Sequence, residues 1–291
     1  MIDVKNVTKK YGNSIANSKL NFSIKKGELV GLLGENGSGK TTLISLLSKE
    51  LKADEGAILL NNGEIDRYLE YIGICHQEFG LFDFLTVEEH LRFFNILRSK
   101  GKTQIFRYDK VVEELGLSNI FNKKVIHLSG GERRRVAIAL TLISDPEILL
   151  LDEPTANLDV NWRDSILNFI IYLNKEFGKT IIFSSHYLDE VQEVVDRVLI
   201  LKKGKLVMDT TLENFNKDFE YKKYLINNSK LPESVFEFLR DFKVNYYSSQ
   251  KDTTIYLPVD RAIPFENYLR DVKVDFNKEK IEIISERKNI F

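Results

Sequence analysis

The sequence predicts an α/β fold, and three stretches carry that expectation. Leu29-Val30-Gly31-Leu32-Leu33 reads as a short buried strand; it is followed by Gly34-Glu35-Asn36-Gly37-Ser38-Gly39-Lys40-Thr41 and then by a helix over 42–49 with Leu43, Ile44, Leu46 and Leu47 as its apolar positions. Ile148-Leu149-Leu150-Leu151 is a second apolar run, of the kind buried on both faces of a parallel sheet, and it ends on Asp152-Glu153-Pro154. After Leu212 the composition shifts, and a strand–helix–strand–strand–helix–strand order follows, the pattern of a small α+β domain of the ferredoxin-like kind. The expected organisation is a large domain over 1–211 and an accessory domain over 212–291.

Taken in order, residues 2–30 alternate polar and apolar positions, with turn signals at Tyr11-Gly12-Asn13 and Lys25-Lys26-Gly27. That predicts an antiparallel β-subdomain against which the core sheet packs. The segment from Gly34 to Thr41 fits G-x-x-x-x-G-K-[ST]. Gly34, Gly37 and Gly39 let the backbone curl so that successive N–H groups converge on anionic oxygens. The following helix N-terminus adds about +0.5 charge. Lys40 would reach the β- and γ-phosphates and Thr41 would ligate Mg²⁺, with Glu35, Asn36, Ser38 and Thr42 completing the loop. An incidental Gly-rich turn is the bland alternative; the strand before and the helix after argue against it. Asp152 would hold Mg²⁺ through water, and Glu153 is the candidate to orient and polarise an attacking water. Alone, two carboxylates after a strand as readily cap a loop; beside the phosphate loop that reading weakens.

From about residue 78 to 135 the pattern is helical. Thr86-Val87-Glu88-Glu89 is a capping box, followed by Leu91, Phe94 and Leu97 on one expected face, and a second helix over 108–115 stops at Gly116. Then comes Leu128-Ser129-Gly130-Gly131-Glu132, where Gly130 and Gly131 open a helix to about Leu142. This offers a second helix N-terminus to anionic oxygens. Residues 180–185 form the next buried strand and lead to His186. In the tail, strands are expected over 221–226, 244–248, 253–257 and 280–285, with helices over 232–242 and 262–272 and Pro264 in the first turn of the last.

Over residues 1–211 these features resemble the ATP-binding cassette of an ABC transporter. Leu128 to Glu132 matches the signature loop of that family, Gln77 its glutamine loop, and Ala156-Asn157-Leu158-Asp159 the loop after the catalytic carboxylate. His186 matches the switch histidine, and Tyr11 the aromatic residue that stacks on adenine. A lone histidine or tyrosine is more often structural; here their order and spacing agree with the rest. The resemblance implies a P-loop NTPase cassette that uses ATP and Mg²⁺ and hydrolyses ATP to drive transport. It also implies a sandwich dimer, with each ATP between one phosphate loop and the other subunit's signature loop. On that pattern Ser129, Gly130, Gly131 and Glu132 face the partner's ATP, with Ser129 hydrogen-bonding its γ-phosphate. His186 contacts the γ-phosphate and holds the water and Glu153 in line, Gln77 touches Mg²⁺ or the water, and Asp159 acts across the dimer. Glu132 stands where many relatives carry glutamine, and His76 replaces a proline that often precedes the glutamine loop. Neither change removes a catalytic group.

The implied partners are a second cassette, identical or different, and a membrane-spanning permease on a separate chain. Composition is compatible. The formal charge of −1 over 291 residues gives no global attraction to nucleic acid, and none is expected as a partner. The N-terminus lacks the pattern of a signal peptide, and no uncharged apolar run reaches about eighteen residues. The single Cys75, which allows no internal disulfide, fits a reducing compartment and reads as a small apolar strand residue rather than a redox sensor. The expected location is cytoplasmic, peripheral on the membrane's cytoplasmic face through the permease. Residues 71–77 and 81–91 look most like the exporter branch that handles lipids and drugs. The rival is a soluble ABC-type ATPase acting on ribosomes or DNA, whose members usually carry two cassettes or long coiled coils; neither pattern is seen. A non-hydrolysing regulatory paralogue conflicts with Glu153 and His186. The tail could serve dimer contact, regulation or stabilisation of the cassette. The basic runs at 98–110 and at Lys202, Lys203 and Lys205 read as solvated, and Arg133-Arg134-Arg135 as interface or intradomain pairs.

Overall fold

In the computed structural model the chain divides into two compact units, Met1–Leu212 and Glu213–Phe291. The structure describes residues 2–60, 71–77, 80–99, 108–156, 158–192, 194–218, 220–227, 231–241, 244–248, 252–272, 274 and 281–285.

The first unit begins with an antiparallel hairpin, β1 (Ile2–Tyr11) and β2 (Ser14–Ile24). β3 (Leu29–Leu33) then leaves for a second sheet, α1 (Lys40–Leu47) follows the glycine-rich loop, and β4 (Glu55–Leu60) returns to pair with β1. The small sheet thus runs β2-β1-β4. Its third strand, β4, has no counterpart in the sequence reading. Next come β5 (Ile72–Cys75), α2 (Val87–Ser99), α3 (Tyr108–Glu114), α4 (Gly130–Leu142) and β6 (Ile148–Leu151). They are followed by α5 (Val160–Phe177), β7 (Thr180–Ser185), α6 (Leu188–Gln192), β8 (Arg197–Lys202) and β9 (Lys205–Thr211). Among the described residues the main sheet has the order β5-β6-β7-β3-β8-β9, parallel except for β9.

Helix α1 joins the two sheets. Leu43, Ile44, Leu46 and Leu47 are buried in one cluster with Ile2, Val4, Leu20 and Ile24 of the small sheet and Val30, Leu32, Leu150 and Ile182 of the main sheet. Each such side chain contributes about 1.5–3 kcal/mol by leaving water. The rigid union of hairpin and sheet therefore rests on a helix that starts at the phosphate loop. Register does the remaining positioning. Leu151 pairs with Phe183, and Leu33 pairs with Ser185. Asp152-Glu153, His186 and the loop at Gly34 therefore leave neighbouring strands at one edge, the carboxyl end where open α/β sheets bind ligands.

The capping box at Thr86 forms: Glu89 N donates to Thr86 Oγ1 at 3.2 Å, and Thr86 N to Glu89 Oε2 at 2.8 Å. The face that carries Leu91, Phe94 and Leu97 is buried only at its start. Leu91 is buried, but Leu97 is 58% exposed, as are its neighbour Ile96 and Phe84 and Phe93 to similar degrees. Only the first turns of α2 pack on the body, so the apolar spacing outlasts the contact. There His90, fully buried, accepts a hydrogen bond from Phe82 N at its Nε2 (2.8 Å) and packs in a cluster with Phe82 and Phe94.

The second unit comprises most of α7 (Leu212–Asp218), then β10 (Glu220–Asn227), α8 (Glu233–Asp241), β11 (Asn245–Ser248), β12 (Asp252–Pro258), α9 (Val259–Asp271) and β13 (Ile281–Ser285). The last four strands form an antiparallel sheet in the order β11-β12-β10-β13, the ferredoxin-like arrangement. Tyr224, Ile226 and Ile255 of the sheet pack with Val235 and Leu239 of α8 and Phe265 and Leu269 of α9. One expectation is corrected: β12 runs straight into α9 without a loop, so Pro264 lies inside that helix and not in its first turn. Burial of Phe265 and Leu269 offsets the backbone hydrogen bond that proline cannot donate.

Burial holds the pKa of His90 below its ordinary 6.5, against weaker opposing pulls from the Thr86 backbone and then Glu89. The folded state resists a proton that the unfolded chain accepts, so the stability contributed by neutral His90 is full above about pH 6.5 and is lost as pH falls through the lower folded value. Denaturant titrations of the wild type should lose more stability between about pH 7 and about pH 5 than those of His90→Gln. Equal losses in the two proteins would show that His90 is not the responsible group.

Candidate active site

The glycine-rich loop is shaped by close packing against β2. Gly37 and Gly39 adopt φ of 80° and 107°, and a Cβ on Gly39 would lie 2.5 Å from the Ala16 carbonyl oxygen. Only glycine meets both demands at that position. The loop is held by Ser38 N donating to Glu35 O (3.1 Å), Asn17 Nδ2 to Gly39 O (3.2 Å) and Gly204 N to Ser38 O (2.9 Å). Gly204 sits at the tip of the β8–β9 hairpin among Lys202, Lys203 and Lys205. That segment is solvated at its lysines but buttresses the loop through its glycine. Glu35, Asn36, Gly37 and Thr41 are exposed, Thr42 is half-buried, and the Gly34 backbone is buried.

Lys40 is buried and donates to the carbonyls of Gly34 (2.7 Å) and Glu35 (3.2 Å), with its Nζ 3.8 Å from Glu153 Oε1. Burial lowers its pKa, while Glu153 and Asp152 pull it back up. Beside it the Ser38 hydroxyl is buried without a partner. An ammonium group occupied by loop carbonyls, an orphan hydroxyl and a cradle lined by backbone N–H groups suit polyanionic oxygens.

Asp152 is fully buried; its Oδ1 accepts a hydrogen bond from Ser184 Oγ at 2.6 Å, and its Oδ2 has no partner. An unpaired buried carboxylate oxygen suits Mg²⁺ with water in its shell. Glu153 takes φ of 47°, a strained value for a bulky residue and one that recurs at functional sites. Its N–H donates to Ser184 Oγ at 2.9 Å. His186 Nδ1 lies 3.4 Å from Glu153 Oε1 without the alignment of a hydrogen bond, and its ring packs on Tyr187 at 4.0 Å. Lys40, Asp152, Glu153 and His186 are thus brought together.

Other expected residues sit elsewhere. The exposed Gln77 follows β5, next to the strand that carries Asp152, and its carbonyl accepts from Arg134 at 3.2 Å. Tyr11 ends β1 as an exposed ring with the Lys9 ammonium 5.8 Å from its centre. Ser129 caps α4: its Oγ accepts from Glu132 N (3.2 Å), while Glu132 accepts from Ser129 N (2.8 Å) and pairs with Lys123 (3.1 Å). The Glu132 carboxylate therefore turns back on its own helix. Asp159 caps α5 by accepting from Trp162 N. Ser129, Gly130, Gly131, Glu132 and Asp159 line one cavity of about 700 Å³, which has no lining residue in common with the Lys40–Glu153–His186 group. Asn157 and the basic run at 98–110, apart from the backbone of its helical and flanking ends, lie outside the described residues.

The three consecutive arginines make intradomain contacts. Arg133 pairs with Asp83; Arg134 donates to the carbonyls of His76 (2.9 Å), Gln77 and Asp152; Arg135 lies 3.5 Å over the Trp162 ring and donates to Leu115 O. Sequence reasoning missed the particular roles of Arg134, Ser184 and Trp162. A signal existed for the arginines: residues 136–140 are apolar almost without interruption, so α4 is enclosed on every side and its arginines must find internal partners. Cys75 is buried, its thiol pushed up to about 11, an inert environment rather than a redox site.

A family model described as ABC transporter matches residues 17–156. The chain is 36% identical over 215 residues to the linearmycin resistance ATP-binding protein LnrL of Bacillus subtilis (strain 168), covering 71% of this chain and 68% of that protein. It is 39% identical over 206 residues to the spermidine/putrescine import ATP-binding protein PotA of Protochlamydia amoebophila (strain UWE25), covering 69% of this chain and 55% of that longer protein. Among solved structures, a dimeric ATP-binding cassette in a post-hydrolysis state with ADP and Pi matches with a TM-score of 0.65 at 31% identity, over 73% of this chain and 99% of that one.

The Ser129 cap should be measurable without nucleotide. Ser129→Ala is expected to lower the stability of the nucleotide-free protein by about 1 kcal/mol. Glu132→Gln keeps the capping box and should cost less. Chemical denaturation of the two variants checks this ranking, and the reverse order would contradict the cap.

Proposed function

The chain belongs to the ABC transporter family and is an ATPase, and from that premise we propose that it powers a membrane transporter by nucleotide-driven closure of two cassettes. The observation that carries the reading is the convergence of Lys40, Glu153 and His186, with 3.8 Å between the first two and 3.4 Å between the last two. ATP is the substrate, bound with its phosphates in the loop from Gly34 to Thr42. Lys40 exchanges its loop carbonyls for β- and γ-phosphate oxygens. Glu153 orients the attacking water and draws on its proton, and His186 holds that water and the γ-phosphate in line. Asp152, Thr41 and Gln77 would hold Mg²⁺, which supplies neutralisation of phosphate charge when bound.

The γ-phosphate side of the site is completed by a second cassette, of the same or a different chain. Ser129 accepts a backbone N–H through its oxygen, so its proton is available to a phosphate on the partner. The N-terminus of α4, at Gly130 and Gly131, presents its positive end in the same direction. Asp159 lines the same cavity and couples the two sites. The roles of these residues and of Tyr11 at the adenine are part of the proposal.

Among the described residues no helix is long and apolar enough to cross a membrane. A permease on another chain is proposed to supply the pore. Support comes from the exposed apolar group on the helical insert, Phe82, Phe84, Phe93, Ile96 and Leu97. Exposed apolar patches of this kind mark interaction surfaces. The protein would then sit on the cytoplasmic face of the membrane through that contact. We read the direction as export, from the character of residues 71–91. Relatives are named for resistance as well as for import, so family likeness alone does not choose. Transport assays in reconstituted vesicles, with cargo moving only in the importing sense, would overturn export.

Glu153→Gln is expected to bind ATP normally, to lose at least about 100-fold in turnover, and to accumulate an ATP-bound dimer. Lys40→Ala should instead weaken nucleotide binding. Equilibrium binding and phosphate release distinguish the two variants; normal turnover in the first removes Glu153 from the mechanism. For the patch, Phe84→Asp should retain ATP hydrolysis by the isolated protein and lose co-purification with a multi-spanning membrane chain. Undiminished co-purification would place the permease contact elsewhere.

A further inference from the structure

Beside the Glu153–His186 pair lies a buried acid that the phosphate chemistry does not use. Glu190, on α6, is 2% exposed. Its Oε2 accepts two hydroxyl hydrogen bonds, from Thr155 Oγ1 at 2.8 Å and from Ser185 Oγ at 2.6 Å. Burying a carboxyl group is unfavourable unless such bonds are made. Here they come from two different segments. Thr155 lies two residues after Glu153, and Ser185 immediately precedes His186. Ser185 Oγ also accepts the N–H of Tyr187 at 2.9 Å, so the chain is held on both sides of His186. A single oxygen therefore joins the loop that carries Glu153 to the turn that carries His186.

A second link runs parallel to it. Ser184, fully buried, donates to Asp152 Oδ1 and accepts from Glu153 N. Glu153 needs this support because its φ of 47° stores strain on the order of 1–3 kcal/mol that only surrounding contacts can maintain. Ser184 ties the backbone of Glu153 to β7, while Glu190 ties the segment beyond Glu153 to the turn beyond β7. With both in place, the backbone at Glu153 and on either side of His186 is tied to buried groups.

We propose that Glu190 is a positioning residue that sets the separation of Glu153 and His186 through Thr155 and Ser185. The proposal rests on the reading of Glu153 and His186 as the catalytic pair. Loss of the Glu190 oxygen frees the two loops to drift, and a misplacement of about 1 Å costs on the order of 100-fold in rate. In the proposed mechanism ATP affinity is set at Lys40 and the glycine-rich loop, whose hydrogen bonds among the described residues do not involve Glu190. The effect should therefore fall on kcat and not on KM.

The test is steady-state ATPase kinetics of Glu190→Ala and Glu190→Gln, alone and combined with His186→Ala. Glu190→Ala should lower kcat about 30- to 100-fold with KM within about 3-fold of wild type. Glu190→Gln, which keeps an acceptor oxygen of the same reach, should recover most of that loss. In the His186→Ala background, Glu190→Ala should cost less than about 3-fold further, because its effect passes through the pair. If Glu190→Ala does not fold, Thr155→Val, which deletes one hydroxyl alone, should show the same loss confined to kcat. An unchanged kcat, a parallel rise in KM or full additivity with His186→Ala would each overturn the proposal. Normal turnover in His186→Ala itself would instead overturn the catalytic-pair reading on which it stands.

Discussion

The parallel register of β6, β7 and β3 is the constraint on which the rest of the site depends. Leu151 lies level with Phe183, and Ser185 with Leu33. One residue beyond these pairs the chain must turn, and it turns with Asp152-Glu153, His186 and the glycine-rich loop side by side. A shift of register by one residue would send each of these side chains to the opposite face. The register is protected by side chains buried on both faces of the sheet, such as Leu150, Phe183 and Leu32, and by α1, which locks the small sheet to the main one. Stability and chemistry are thus specified by the same strands.

At the strand ends, buried polar groups replace apolar packing. Ser184, Glu190 and Arg134 each join segments distant in sequence, and each is buried with hydrogen bonds that leave little freedom. Low local dielectric makes such networks stiff when satisfied. Ser38 Oγ and Asp152 Oδ2 are buried without a partner, and the proposed mechanism assigns them to the phosphate and cation sites. The cavity lined by Ser129 and Asp159 is separate from the Lys40–Glu153–His186 group, and in the proposed mechanism it receives phosphate from the other cassette. This division explains why a single cassette carries all the motifs and yet, in the proposed mechanism, acts only in a pair.

Much of this was legible in the sequence where one physical rule dominated. Strands β3 and β6 are continuous apolar runs, β7 centres on Ile181-Ile182-Phe183 and helix α4 is opened by a glycine pair, and their expected limits agree with the structure. The βαββαβ order of the tail was legible from periodicity. Less legible were features that depend on distant partners. β4 pairs with β1 across more than forty residues, Gly204 supports a loop formed much earlier in the chain, and Glu190 meets Thr155 only because β6 and β7 are neighbours. Pro264 was misplaced for a related reason: spacing indicates where a helix could begin, and packing decides where it does.

The most direct test of the account is a crystal structure of the Glu153→Gln protein with ATP and Mg²⁺. The account predicts phosphates in the Gly34–Thr42 loop in contact with Lys40, the cation between Thr41 and Asp152, and a second cassette whose Ser129 reaches the γ-phosphate. Nucleotide bound away from Lys40, or bound in a monomer with Ser129 facing solvent, would contradict it.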